Sequence, residues 1–160
     1  MRGAVNELME SKLKIGDSAP DFEGPTSDGT QLGLKDFVGK KNVILYFYPK
    51  DDTPGCTKEA CSFRDNLSTV KKMGAEVIGV SLDSVESHKK FASKYKLPFP
   101  LISDQDRRVA KAYGVLRDTG TSANRVTFII DKAGKIASIF PKVDVTKHTE
   151  EVVEALKAMP

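Results

Sequence analysis

Tryptophan is absent from the 160-residue chain, and cysteine and histidine occur only twice each. The lack of tryptophan excludes little, but the shortage of cysteine and histidine bears on metal binding. A metal site usually needs about four ligands, and only His88 and His148 could join the two cysteines. Neither histidine lies at a spacing typical of metal ligands. The sequence therefore predicts no metal site, and both histidines are predicted to be exposed.

A long apolar stretch and a marked excess of one charge are also missing. Between Met1 and Lys14 there is no apolar run of about seven residues or more and no small-residue cleavage site, which argues against a signal peptide or a membrane span. Glu7 and Glu10 argue against a transit peptide. The net charge of +3 is spread along the chain, whereas nucleic-acid binding usually needs a concentrated basic patch. We expect a cytoplasmic protein with no nucleic-acid and no membrane partner.

The length suits one domain, which we place at residues 14–160, after an N-terminal extension at residues 1–13 with no assigned role. Apolar runs and turn residues predict strands at residues 21–23, 31–32, 43–48, 76–82, 101–102, 125–130 and 135–140. Helical spacing predicts helices at residues 56–74, 84–95, 105–113 and 146–159. Strands and helices alternate first, and a hairpin and a helix follow. This order predicts an α/β protein with a mixed central sheet flanked by helices on both faces, as in the thioredoxin-like fold.

Both cysteines lie in one stretch, residues 48–61, which follows the most apolar strand. Cys56 is predicted to lie in the first turn of a helix, where unpaired backbone N–H groups and the helix dipole stabilise a thiolate. Gly55 allows the backbone to approach closely, and Pro49 and Pro54 stiffen the loop. Thr53 supplies a hydroxyl three residues before Cys56. The stretch is therefore a candidate reactive-thiol site.

The alternative is that Cys56 is an inert core residue, because it begins an apolar stripe made of Ala60, Phe63, Leu67 and Val70. A nearby cation would favour the reactive interpretation. Arg125 is the best of five candidate arginines, since it begins a strand expected beside the strand at 43–48.

Cys61 follows five residues after Cys56. In an intact helix it lies about 140° around the axis, with the two Cα atoms ~8.6 Å apart. A disulfide needs Cα atoms closer than ~7 Å. Cys61 is therefore either structural, or the first helical turns unwind during turnover. The absence of a Cys-x-x-Cys motif weighs against a general disulfide reductase.

The pattern Pro49-x-x-x-Thr53-x-x-Cys56, continued to Cys61, resembles the active site of the peroxiredoxins, specifically the bacterioferritin comigratory protein or Q type. The segments at residues 46–50 and 125–131 are also similar to segments of that family. The resemblance implies a thiol-dependent peroxidase that reduces hydrogen peroxide and organic hydroperoxides. It implies a thioredoxin-like dithiol as reductant, no metal, flavin or nucleotide cofactor, and a monomer or weak homodimer.

The resemblance also implies roles for individual residues. Cys56 would be the peroxidatic cysteine, and Cys61 the resolving cysteine that closes an intramolecular disulfide. Thr53 and Arg125 would bind the peroxide oxygens and stabilise the thiolate, beside Gly55. Pro49 would shield the pocket, and Glu59 would orient it, although Glu59 could equally be an ordinary acid in the first helical turn. The competing hypothesis is a thioredoxin-fold redox sensor or chaperone module.

Overall fold

The computed structural model describes residues 13–159. The predicted extension at 1–13 thus lies outside the described residues except for Leu13, which packs against the apolar core. The strands are β1 (Glu23–Pro25), β2 (Gln31–Gly33), β3 (Asn42–Phe47), β4 (Ala75–Ser81), β5 (Leu101–Ser103), β6 (Val126–Ile130) and β7 (Ile136–Phe140). The helices are α1 (Pro54–Asp65), α2 (Leu67–Lys72), α3 (Val85–Tyr95), α4 (Arg108–Ala112) and α5 (His148–Lys157), and a 3-10 turn covers Leu34–Asp36.

Strands β3 to β7 form one mixed sheet in the order β5-β4-β3-β6-β7. Strand β3 is central, since it pairs in parallel with β4 and antiparallel with β6. Strands β6 and β7 form the predicted antiparallel hairpin, and β1 and β2 pair separately. The predicted mixed sheet is confirmed. Because β3 and β6 run in opposite directions, the carboxyl end of β3 meets the amino end of β6, and Phe47 lies opposite Val126.

The side chains of β3 alternate between two apolar clusters, one on each face of the sheet. On one face, Ile44 and Tyr46 pack with α1, α2, α3 and α5. On the other face, Leu45 and Phe47 pack with α4 and with residues from the β1–β2 region. Helices therefore cover both faces, as the sequence predicted. Within residues 13–159, no helix combines the length and apolar character needed to cross a membrane.

The helix predicted at residues 56–74 is divided into α1 and α2 at Asn66. Asn66 leaves helical geometry (φ −109°, ψ 7°), and its side-chain amide donates a hydrogen bond to the Ser62 carbonyl oxygen at 2.8 Å. Asparagine side chains compete in this way with the backbone for hydrogen-bond acceptors. The predicted stripe of Cys56, Ala60, Phe63, Leu67 and Val70 is nevertheless buried throughout.

Candidate active site

The loop between β3 and α1 presents Cys56. Helix α1 begins with Pro54, a favourable first position because a helix does not use the N–H that proline lacks. Thr53 precedes the helix in an extended conformation, and its carbonyl oxygen accepts a hydrogen bond from Thr57 N at 2.8 Å. Cys56 thus lies in the first turn of α1, and it is only 1% exposed. The sequence prediction of its position is confirmed.

Arg125 reaches this turn from the amino end of β6, as the antiparallel pairing with β3 requires. Its Nη1 donates a hydrogen bond to Glu59 Oε1 at 2.8 Å. Burial opposes the charge of Arg125, but the pKa of the guanidinium is still raised, because the neighbouring Cys56 and Glu59 side chains favour the cation. The structure therefore brings Cys56, Glu59 and Arg125 together from two elements.

Glu59 lies one turn into α1 and its side chain is 1% exposed. Burial raises the pKa of its carboxyl from 4.5 to about 7, although the charge and hydrogen bond of Arg125 act in the opposite direction. Its Oε2 has no hydrogen-bond partner among the described residues. An ordinary first-turn acid would be exposed to solvent, so the structure favours a place for Glu59 in the site itself.

Gly55 separates Thr53 and Pro54 from the thiol, and Arg125 packs directly against it. A Cβ atom at position 55 would lie 3.1 Å from Arg125 Nη2, which is closer than ordinary van der Waals contact. Glycine at this position therefore allows the guanidinium to approach the beginning of α1.

Thr53 and Pro49 lie in the loop between β3 and α1, and both are half-buried. The Thr53 hydroxyl donates a hydrogen bond to the Lys50 carbonyl oxygen at 2.9 Å. A hydroxyl oxygen that donates its proton still has lone pairs, so Thr53 can accept a hydrogen bond from an O–H or N–H group of a bound molecule. Pro49 is half-buried directly after the buried Tyr48.

Cys61 lies further along the same intact helix and is half-buried, and both cysteines are free thiols. Because the helix is intact between them, Cys56 and Cys61 cannot form a disulfide in this conformation. The carboxyl-terminal half of α1 is held by other elements: Ser62 Oγ lies 2.6 Å from Thr149 Oγ1 of α5, and Arg64 Nη1 donates to the Tyr95 carbonyl oxygen at 2.7 Å. Unwinding confined to the first turns would leave these contacts in place.

The prediction of exposed histidines was wrong. His88 is 0% exposed and His148 is 1% exposed. His88 lies three residues before the buried Phe91 on α3, and His148 begins the stripe His148, Val152 and Leu156 on α5. Helical spacing of these apolar neighbours was the signal that could have shown both histidines to face the core.

A cluster of buried and half-buried polar residues that joins the loop to α3 was missed by sequence reasoning. His88 contacts Asp51, which follows Pro49 by two residues, and Asp83 lies beside them; one ligand atom from each of these three residues lies within 4.8 Å of the others. The spacing of the histidines gave no sign of this cluster. Hydrogen bonds hold the cluster in place: Asp83 Oδ2 accepts one from Asp51 N within the cluster and one from Ser81 Oγ outside it.

The structure places a buried cysteine at the start of a helix, on a mixed sheet with helices on both faces. Comparison with known proteins identifies the class of protein that has this arrangement. The sequence profile of the AhpC/TSA family matches residues 15–139. The chain belongs to the AhpC/TSA family.

Individual relatives show which members of the family the chain is similar to. The chain is 51% identical to the putative peroxiredoxin bcp of Coxiella burnetii over 90% of this chain and 99% of the relative. It is 42% identical to the chloroplastic peroxiredoxin Q of Populus jackii over 98% of this chain and 74% of the relative. Among solved structures, the bacterioferritin comigratory protein of Xanthomonas campestris superposes with a TM-score of 0.83 at 37% identity, covering 92% and 97% of the two chains.

These similarities confirm the peroxiredoxin resemblance and the thioredoxin-like fold that the sequence predicted. The chain is a thiol-dependent peroxidase of the bacterioferritin comigratory protein and Q type.

Proposed function

We propose that Cys56 is the peroxidatic cysteine and that Cys61 resolves it. The observation that carries this proposal is the position of the buried Cys56 thiol in the first turn of α1, in electrostatic contact with the Arg125 guanidinium, which Glu59 holds in place. Backbone N–H groups, the helix dipole and a permanent cation together stabilise a thiolate at this point.

The reaction begins when the Cys56 thiolate attacks one peroxide oxygen. An S–O bond forms and the O–O bond breaks, and the departing oxygen takes a proton to leave as water or as an alcohol. Thr53 accepts a hydrogen bond from the peroxide O–H, and Arg125 stabilises the charge that moves to the departing oxygen. Pro49 shields the pocket, and Gly55 leaves room for the guanidinium.

The Cys56 sulfenic acid then condenses with Cys61. The Cys61 thiolate attacks the oxidised sulfur, the S–S bond forms as the S–O bond breaks, and the departing hydroxide takes the proton that the Cys61 thiol gave up and leaves as water. This step requires the first turns of α1 to unwind. A thioredoxin-like dithiol then restores both thiols by exchange through a mixed disulfide, and is itself oxidised to a disulfide.

Both hydrogen peroxide and organic hydroperoxides are proposed as substrates. The Xanthomonas campestris protein was studied for its reduction of alkyl peroxides, which agrees with this proposal.

The test compares Cys56→Ser with Cys61→Ser. We expect Cys56→Ser to abolish peroxide consumption, and Cys61→Ser to allow one rapid oxidation but no recycling by thioredoxin. Mass spectrometry of the wild type after one equivalent of peroxide should show a loss of about two mass units, from the Cys56–Cys61 disulfide. Full activity in Cys56→Ser, or slow oxidation of Cys56 at micromolar peroxide, would contradict the proposal and favour a redox sensor or chaperone module.

A cytoplasmic location and a monomeric or weakly dimeric state complete the proposal. The location is supported by the bacterial relative, whereas the plant relative is chloroplastic. Light scattering coupled to size exclusion, with the protein reduced and then oxidised, tests the oligomeric state.

A further inference from the structure

Asp51 lies in the middle of the active-site loop and is held from several directions. Its Oδ1 accepts a hydrogen bond from Tyr48 Oη at 2.6 Å, and its Oδ2 accepts one from Ser87 Oγ at 2.7 Å. The same Oδ2 lies 2.7 Å from His88 Nδ1. The backbone N–H of Asp51 donates to Asp83 Oδ2 at 2.8 Å. Both the side chain and the backbone of this one loop residue are therefore fixed.

The hydrogen-bond partners of His88 determine where its protons lie. Nε2 is 3.0 Å from the Ile102 carbonyl oxygen, which can only accept, so Nε2 carries a hydrogen. Nδ1 faces Asp51 Oδ2 at 2.7 Å, and the same carboxyl group also accepts from Tyr48 Oη and Ser87 Oγ, as an acceptor-only carboxylate does. With a proton on both ring nitrogens, His88 forms a buried ion pair with Asp51, and the two side chains are 0% and 3% exposed.

The ionisable groups that face His88 come from three parts of the chain. Asp83 follows β4, Tyr48 follows β3, and Asp51 lies in the loop itself. Burial and the neighbouring Tyr46 and Asp51 raise the pKa of Tyr48, so its phenol stays protonated and donates to Asp51. His88 therefore faces the carboxylates of Asp51 and Asp83 and the neutral phenol of Tyr48.

Asp52, the next residue of the loop, makes a second attachment to α3. Asp52 has a positive φ of 56°, which is uncommon for a residue other than glycine, and its carboxylate accepts hydrogen bonds from Lys94 Nζ at 2.9 Å and Tyr95 Oη at 2.8 Å. Asp51 and Asp52 are thus both tied to α3, one by a buried pair and one at the surface. They lie between Pro49 and Thr53, and they are independent of the helix turns that carry Cys56.

We propose that the buried His88–Asp51 ion pair is a positioning device: it holds the Pro49–Thr53 loop in the geometry that reacts with peroxide, and it stays fixed when the first turns of α1 unwind. A buried ion pair adds little net stability compared with apolar packing, but it enforces one arrangement, because either partner alone would be a buried unpaired charge. The inference rests on the proposed role of Cys56, since it concerns the loop that presents that thiol.

The test uses His88→Gln, Asp51→Asn and the double variant, all in a Cys61→Ser background that isolates the first oxidation. We expect each single variant to slow the oxidation of Cys56 by peroxide about 10- to 100-fold, the size of effect that a displacement of about 1 Å produces. The double variant should recover much of that loss, because a Gln–Asn pair leaves no unpaired charge.

The matched control is Asp104→Asn. Asp104 is also a buried carboxylate, but it accepts hydrogen bonds from Val109 N and Ala110 N at the start of α4. We expect a lower melting temperature with an oxidation rate within about 2-fold of the parent, as for a site that does not couple to the loop. If His88→Gln and Asp51→Asn behave like Asp104→Asn, losing melting temperature but keeping the rate, the pair is only structural and the proposal is wrong.

Two readouts do not depend on peroxidase activity. Nitrogen NMR at pH 7.5 should show both ring nitrogens of His88 protonated, and a bare ring nitrogen would overturn the ion pair. Amide hydrogen exchange at Asp51 should accelerate at least about 10-fold in His88→Gln, reflecting local opening, and unchanged protection would also overturn the proposal. A wild type whose Cys56 fails to react with peroxide would instead refute the proposed function, while these two measurements still decide whether the pair holds the loop.

Discussion

The pH dependence of stability should carry the signature of Glu59. Burial gives this carboxyl a pKa of about 7 in the folded protein, against 4.5 as its ordinary value. A raised pKa means that the folded state binds the proton more tightly than the unfolded state. The free energy of unfolding should therefore fall as pH rises from about 4.5 to about 7 and level off above that range. The loss from this one group is about 2–3 kcal/mol between pH 5 and pH 8.

Glu59→Gln removes the titration with almost no change of shape. Its amide oxygen can still accept the hydrogen bond from Arg125, while no proton is gained or lost. The free energy of unfolding of the variant, relative to the wild type, should therefore increase by about 2–3 kcal/mol from pH 5 to pH 8. The absolute difference at one pH is less informative, because the new amide N–H group also needs an acceptor.

The measurement is urea unfolding under reducing conditions at several pH values. Far-UV circular dichroism is the suitable probe, because the chain contains no tryptophan. Glu150→Gln is the control, since Glu150 is exposed on α5 and its replacement should leave the pH profile parallel to that of the wild type. Parallel profiles for Glu59→Gln and the wild type, within about 0.5 kcal/mol, would refute the reasoning that burial controls this carboxyl.

Two glycine substitutions test close contacts. Gly55→Ala should slow the oxidation of Cys56 about 10-fold in stopped-flow experiments, because its Cβ would lie 3.1 Å from Arg125 Nη2 and displace the guanidinium; an unchanged rate would show that the contact is not needed. Gly79→Ala should lower the free energy of urea unfolding by about 1–3 kcal/mol, because its Cβ would lie 2.8 Å from Leu101 Cδ2 and 2.9 Å from Tyr46 Cζ. A loss below about 0.5 kcal/mol would mean that the sheet repacks without strain.

Local patterns predicted most secondary structure because they report which face of an element is buried. The apolar run at residues 43–48 became β3, as predicted, and Ser84 caps α3 by accepting a hydrogen bond from Ser87 N at 3.1 Å. The boundary at Asn66 was missed, because the apolar stripe continues across it. The stripe shows which side faces the core, but it does not show whether the backbone is continuous.

The position of Cys56 at the beginning of a buried helical stripe could be determined from the sequence alone. Spacing within one helix is a local property, and the loop motif that precedes it is specific enough to indicate the family. The position of Arg125 beside the Cys56 loop could also be predicted, because the predicted hairpin and central strand limit the possible strand orders of the sheet.

Only the tertiary structure decided the charges around the thiol. Glu59 and Arg125 are 66 positions apart, and Asp51 and His88 are 37 apart, so no local pattern links either pair. Their burial follows from how α1, α3 and β6 pack against β3, and burial is what raises the pKa of Glu59 and leaves His88 without solvent. The sequence determined that Cys56 lies at the start of a buried helical stripe, and the packing determined which charged residues surround its sulfur.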